Sequence, residues 1–200
     1  SMKIFRWVPD AATDGTSPNH PFTVLTLPDT TLLPPKRPFF VPDHTQQCEA
    51  TLCVALRIDR LGRSIATRFA HRYYQASQTS VAIHFIARDE WLRCRQHGLP
   101  WSSAMAFDDA VALPATVQAD LSELGQVQWQ VGQGEPVEVS LPAGLFAQAD
   151  ELLAYISQLH TLRQGDLLLM PLSVAAQPAV PDTSVCIRLQ GITLLQFNIK

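Results

Sequence analysis

Fifteen prolines are spread through 200 residues, and several fall in short runs such as Pro34-Pro35-Lys36-Arg37-Pro38. Each proline fixes φ and removes a backbone donor, so helices and inner strands must begin or end around it. The chain is thereby divided into short pieces. A bundle of long helices is excluded, and short strands with a few helices remain.

The clearest strand runs from Glu49 to Ile58. Ala50, Leu52, Val54, Leu56 and Ile58 alternate with Glu49, Thr51, Cys53, Ala55 and Arg57. The first set is uniformly apolar and faces a core; the mixed second set is suited to lining a cavity. Further strands are expected over residues 2–8, 22–27, 81–86, 167–169, 185–189 and 193–199, the last two divided by Gly191, and strands around turns over 111–121 and 127–139. Residues 9–21, rich in Asp, Gly, Ser and Asn, are expected to form a mobile loop.

Three helices are expected. The first follows Leu61-Gly62-Arg63, with Ser64 as N-cap and Ala66, Phe69, Ala70, Tyr73 and Tyr74 on one stripe. The second opens on Asp89 and Glu90, where carboxylates suit the helix dipole. It places Trp91, Leu92 and Arg95 on one face and stops at Gly98 before Pro100. The third covers residues 150–160, with Ala149, Leu152, Leu153, Ile156 and Leu159 facing inward. The sum is an α+β chain, mostly β, forming one domain over residues 1–200, with Ser1 ahead of Met2 expected to be a cloning remnant.

Charged residues are only 16% of the chain, so a partner is expected to cover part of the surface and a homodimer follows. A formal net charge of −3 gives no basic footprint for nucleic acid. No apolar run approaches the roughly 18 residues of a membrane span, and no secretory hydrophobic segment follows Met2. Cys48, Cys53, Cys94 and Cys186 are scattered without a C-x-x-C pair. They are expected to be buried thiols in a reducing cytoplasm. Cys94 and His97, three apart on a helix, lack a third partner for a metal. Asp108 and Asp109, in an extended segment, would point to opposite faces, Asp108 with a framework role.

The Leu61–Tyr74 block, Ala87-Arg88-Asp89, Gly98-Leu99-Pro100-Trp101 and Phe107-Asp108 together resemble the fumarylacetoacetate hydrolase family. The likeness continues through Pro28-Asp29-Thr30-Thr31-Leu32-Leu33, Pro38-Phe39-Phe40-Val41-Pro42-Asp43, residues 150–157, Thr161-Leu162-Arg163-Gln164-Gly165-Asp166-Leu167 and the closing residues 194–200. It implies a layered mixed β-sheet fold with about three flanking helices, usually a homodimer. It also implies hydrolysis, decarboxylation or isomerisation of small 2-oxo or 1,3-dioxo acids with Mg²⁺ or Mn²⁺.

By that resemblance two carboxylates come from a Glu-x-Glu strand and a third from an aspartate five residues before Asp89. A lysine precedes the Phe-Asp pair by two. Here these positions are Glu49, Thr51, His84 and Met105. The Gly-Thr-Pro substrate loop corresponds to Pro171, Leu172 and Ser173. Arg88 and Asp89 are expected to serve the framework. With one carboxylate of three retained, a dication loses about 4 kcal/mol of attraction per missing pair at ~4 Å and an effective dielectric of ~20. Mg²⁺ binding is expected to be lost.

The leading expectation is therefore a family member without metal-dependent catalysis. It would act as a ligand-binding or structural protein holding a small organic molecule, or as the partner of an active paralogue. A pure interaction module is a further version. The alternative is an active hydrolase, decarboxylase or isomerase with a rebuilt site around Glu49 and His84. Those two residues would bind a borderline metal there, or otherwise form a hydrogen-bonded pair filling the pocket.

Overall fold

The computed structural model describes residues 1–9, 22–116, 120–121 and 126–200. The loop expected over 9–21 lies outside the described residues apart from Pro9. Two sheets carry the fold. The first comprises β1 (Ile4–Trp7), β2 (Val24–Leu27), β3 (Cys48–Arg57), β4 (Ser80–Ala87), β5 (Val111–Ala112), β8 (Leu167–Pro171) and β9 (Gln177–Pro178). Its order is β2-β1-β8-β3-β4-β5, with β9 also pairing β3. Only the β1–β8 pair is parallel among the described strands. The second sheet is antiparallel, in the order β11 (Ile192–Ile199), β10 (Thr183–Leu189), β6 (Gln126–Val131), β7 (Val137–Ser140).

β3 sits at the centre because its apolar set is complete. Ala50, Leu52, Val54, Leu56 and Ile58 are all buried, and they join Phe5 and Phe85 in a core shared with Trp129, Val185 and Ile187 of the second sheet. Phe39 fastens the two sheets together. Its backbone bonds Asn198 and Lys200, and its ring stacks on Phe85 at 3.6 Å between centroids. The opposite face of β3 and β4 is the one that carries Glu49, Thr51 and His84, since Thr51 pairs His84 and Glu49 pairs Ile86.

Among the described residues two helices exceed a single turn, α2 (Arg88–His97) and α4 (Leu145–Leu159); α1 (Thr67–Ala70) and α3 (Ser102–Met105) are one turn each. Gly98 ends α2 with φ of 64°, as its position before Pro100 predicts.

Several expectations need correction. Ser64 is no N-cap: it takes φ of 51°, its N–H bonds the Ser157 carbonyl, and α1 starts after Ala66. The first helix stops at Ala70 because a 3₁₀ turn follows and Tyr74 bridges Ile58. Its stripe is therefore interrupted. Ala70 and Tyr74 are buried, whereas Phe69 is exposed between the Arg68 and Arg72 guanidiniums. On α2 the buried pair is Trp91 and Cys94, and Leu92 faces solvent. α4 starts five residues early, its turn set by the Leu145 N–H to Pro142 carbonyl bond, and Leu159 is exposed at its end. The strands expected around a turn over 127–139 form the hairpin β6–β7, whereas over 111–121 only β5 is a strand among the described residues. Asp108 and Asp109 occupy a turn, where Asp109 has φ of 61° and donates its N–H to Thr30; they are not in an extended segment. Asp108 is exposed in this turn.

Candidate functional site

A cleft of about 370 Å³ opens on the polar face of β3. Its floor is Glu49 and Thr51, half-buried on β3. Pro171, Leu172 and Ser173, at the end of β8, form one side. They are held there by the Leu172 N–H donating to the Leu52 carbonyl at 3.0 Å. Val8, Trp91 and Met105 supply an apolar wall, packed as a small cluster with Ala104. The positions singled out by resemblance, far apart in sequence, thus converge. A volume of this size is at the low end for small-molecule sites.

His84 lies beneath the cleft, fully buried, and does not line it. Its Nδ1 accepts from Arg6 Nε at 3.0 Å, and its Nε2 is 2.7 Å from the Met105 carbonyl oxygen. An arginine Nε only donates and a carbonyl only accepts, so the ring is the neutral tautomer protonated at Nε2. Burial, reinforced by the Arg6 charge, pushes its pKa down to about 3, against a smaller upward pull from the Met105 carbonyl. The ring is fixed at both nitrogens. The expected Glu49–His84 hydrogen bond is absent, because Arg6 and Met105 take both ring nitrogens.

Two cations border the cleft. Arg6 is nearly fully buried, its Nη1 also donating to the Trp7 carbonyl. Arg88, the first residue of α2, lies over the Trp91 ring at 4.4 Å. Arg88 serves the framework through its backbone, opening α2 and donating its N–H to the Gln47 carbonyl at 2.8 Å, and its side chain also lines the cleft, where the guanidinium forms no ion pair among the described residues. The Glu49 carboxylate likewise has no hydrogen bond or ion pair among the described residues, and the two do not pair with each other. Asp89 does serve the framework. Its carboxylate accepts from Thr45 Oγ1, Gln46 N–H and its neighbour's N–H. Burial raises its pKa, yet those hydrogen bonds outweigh burial and hold it below the ordinary carboxylate value.

Other candidate groups fall away. Cys48 is pushed up to about 12 by burial and then by the charges of Glu49 and Asp89, so it is no thiolate nucleophile. Cys94 is buried against Glu90 and Ser103, and His97 is exposed and apart from it. No group of three or more His, Cys, Asp or Glu side chains is placed to hold an ion among the described residues.

The donor set fits a divalent cation poorly. Among the described residues Glu49 is its only charged oxygen, both His84 nitrogens are engaged, and the Arg6 guanidinium bonds the very ring that stands at the third ligand position. A hard dication needs several oxygens and no adjacent cation.

Sequence reasoning missed Arg6 and Arg88 as site residues. Arg6 gave no signal, being one polar position in a four-residue strand. Arg88 stands four residues after His84, and that spacing across the end of a strand was the available clue.

No protein-family model matches the chain. The oxaloacetate tautomerase FAHD1 of Bos taurus is 22% identical over 186 residues, spanning 92% of this chain and 83% of its own. The mitochondrial oxaloacetate decarboxylase of Dictyostelium discoideum is 24% identical over 185 residues, covering 91% and 84%. In structure, fumarylpyruvate hydrolase from Pseudomonas aeruginosa, solved with Mn²⁺ and pyruvate, superposes with a TM-score of 0.77 at 16% identity, covering 98% of this chain and 88% of that one. The 5-carboxymethyl-2-hydroxymuconate delta-isomerase from Mycobacterium smegmatis gives 0.73 at 18% identity, covering 100% and 78%.

Proposed function

We propose, for this member of the fumarylacetoacetate hydrolase family, that the Glu49–Arg88 cleft binds a small 2-oxo acid and moves a proton at the carbon beside its carbonyl, without a resident divalent ion. The relatives are named as enzymes of oxo-acid chemistry, which favours activity over a purely structural role. The observation carrying the reading is the convergence of Glu49, Arg6, Arg88 and Ser173 on one cleft of about 370 Å³.

The chemistry follows from the residues. Arg88, held against Trp91, takes the substrate carboxylate as a charge-assisted pair. Glu49 removes a proton from C3. The C–H electron pair becomes the C2–C3 π bond, the carbonyl oxygen becomes an enolate, and the proton rests on the Glu49 carboxylate. The positive field of Arg6 and Arg88 lowers the energy of the enolate. Return of that proton to the oxygen gives the enol, and its return to carbon regenerates the ketone. His84 is a positioning residue: its Nδ1 fixes Arg6. Of the chemistries expected from the resemblance, tautomerisation asks least of these groups, since it needs one base and a positive field.

Exchange of the C3 hydrogens of 2-oxobutyrate for deuterium, followed by proton NMR in D₂O with EDTA present, tests this. The protein is expected to accelerate exchange at least tenfold over buffer, and Glu49→Gln to abolish the acceleration. No acceleration by the folded wild-type protein overturns the catalytic reading.

A second reading is binding without turnover, supported by the fixed, neutral His84 and by a cleft without an activated nucleophile. Calorimetric binding of 2-oxobutyrate with no exchange selects it. We carry two proposals with either reading. One is a homodimer, or a heteromer with a paralogue that keeps the missing carboxylates; sedimentation velocity tests the self-association. The other is a reducing compartment such as the cytoplasm, supported by four unpaired thiols. No described helix is long and apolar enough to cross a membrane.

A further inference from the structure

Two opposite charges line the same cleft and meet no partner there. Among the described residues the Glu49 carboxylate makes no hydrogen bond or ion pair, and the Arg88 guanidinium makes only its ring contact with Trp91. Thr51, Met105 and Leu172 line the same cleft, and among the described residues no second carboxylate lines it. An unmet carboxylate and an unmet guanidinium in one half-enclosed cavity define what a ligand must carry at its two ends.

We infer that the cleft selects 2-oxo acids whose far end carries a hydrogen-bond donor, such as a hydroxyl, and discriminates against 2-oxo dicarboxylates. This rests on the oxo-acid reading above and narrows its substrate class. The carboxylate beside the carbonyl pairs with Arg88, which places the far end at Glu49. A donor there satisfies the Glu49 oxygens. A second carboxylate there meets a like charge and leaves both ends of the contact poorly solvated. Arg6 does not reverse this preference, because its guanidinium is directed to His84 Nδ1 and the Trp7 carbonyl. Val8 and Met105 allow an apolar middle and carry no side-chain donor for an extra anion.

The test is isothermal titration calorimetry with three acids of equal carbon count: 2-oxobutyrate, 4-hydroxy-2-oxobutyrate and oxaloacetate, all with EDTA present. The hydroxy acid is expected to bind at least threefold tighter than 2-oxobutyrate and at least tenfold tighter than oxaloacetate. Glu49→Gln is expected to improve oxaloacetate at least fivefold and so collapse the preference. Arg88→Gln is expected to weaken all three at least tenfold, with Arg88→Lys recovering part of the loss. Circular dichroism of each variant confirms that it is folded. If oxaloacetate binds as well as the hydroxy acid, or if Glu49→Gln leaves the ranking unchanged, the inference is overturned while the oxo-acid site stands. If none of the three binds the wild-type protein, the underlying reading fails as well.

Discussion

Replacing His84 by alanine removes a ring that is bonded at both nitrogens and fully buried. The Arg6 Nε bond is charge-assisted, and its loss costs about 1.5–3 kcal/mol. The Met105 carbonyl loses its imidazole donor, which costs about 1–3 kcal/mol if the oxygen is left unsatisfied. Allowing for relaxation, His84→Ala is expected to destabilise by about 3–5 kcal/mol, or roughly 6–20 °C in a chain of this length. His84→Asn separates the two contributions. Its amide oxygen stands where Nδ1 stood and can still accept from Arg6, while the Met105 contact is lost, so about 1–2.5 kcal/mol is expected. Urea unfolding followed by circular dichroism at pH 7.5 measures both. The reasoning is refuted if His84→Ala lies within about 1 kcal/mol of wild type, or if asparagine is no better than alanine.

The same ring sets a pH dependence. The unfolded imidazole takes a proton near pH 6.5, whereas the native ring, held near 3 by burial and Arg6, refuses it. Stability is therefore full above about pH 6.5 and falls with acid by up to about 1.4 kcal/mol per unit, or about 2 kcal/mol by pH 5; urea titrations should show this slope, and His84→Asn should flatten it. Asp166, also buried, accepts the Lys3 N–H at 2.9 Å, the Arg163 N–H at 2.8 Å and the Lys3 ammonium at 2.7 Å. Asp166→Asn turns one acceptor into a donor facing a donor, and a loss of at least about 2 kcal/mol is expected in thermal unfolding. A Cβ at Gly62 would lie 2.3 Å from Tyr73 Cε1 and 2.7 Å from Ile65 Cδ1. Gly62→Ala should cost about 1–3 kcal/mol by overpacking, and Gly62→Ala with Tyr73→Ala should recover part of it.

Much of this was readable in the chain because local periodicity is written locally. The alternation of β3 assigned both faces of the central strand; of its mixed face Glu49 and Thr51 became the cleft floor, while Cys53 and Ala55 are buried in a second apolar cluster. The Gly98 stop of α2 followed from backbone freedom alone. The family resemblance brought Pro171, Leu172 and Ser173 to the cleft from more than a hundred residues away. What escaped was decided by distant partners. Arg6 and His84 are 78 residues apart, and nothing near either residue announces their bond. Ser64 carries an ordinary capping residue type, yet its N–H donates to the Ser157 carbonyl and its φ of 51° sets it in a turn, so the helix starts after Ala66. Phe69 follows a helical stripe, but the helix ends one residue later and the ring faces solvent. Glu49 and His84, expected as a pair, stand on neighbouring strands with His84 turned beneath the cleft toward Arg6.

The account turns on arginines, rather than a divalent ion, furnishing the positive charge of the cleft. Electron paramagnetic resonance of Mn²⁺ titrated with the wild-type protein tests this most directly, because bound and free Mn²⁺ are distinguished by signal amplitude. The account predicts that the free-ion signal persists at millimolar protein, corresponding to a Kd above ~1 mM, or weaker than about 4 kcal/mol of binding. Stoichiometric loss of the signal at micromolar protein, reversed by Glu49→Ala, would contradict it.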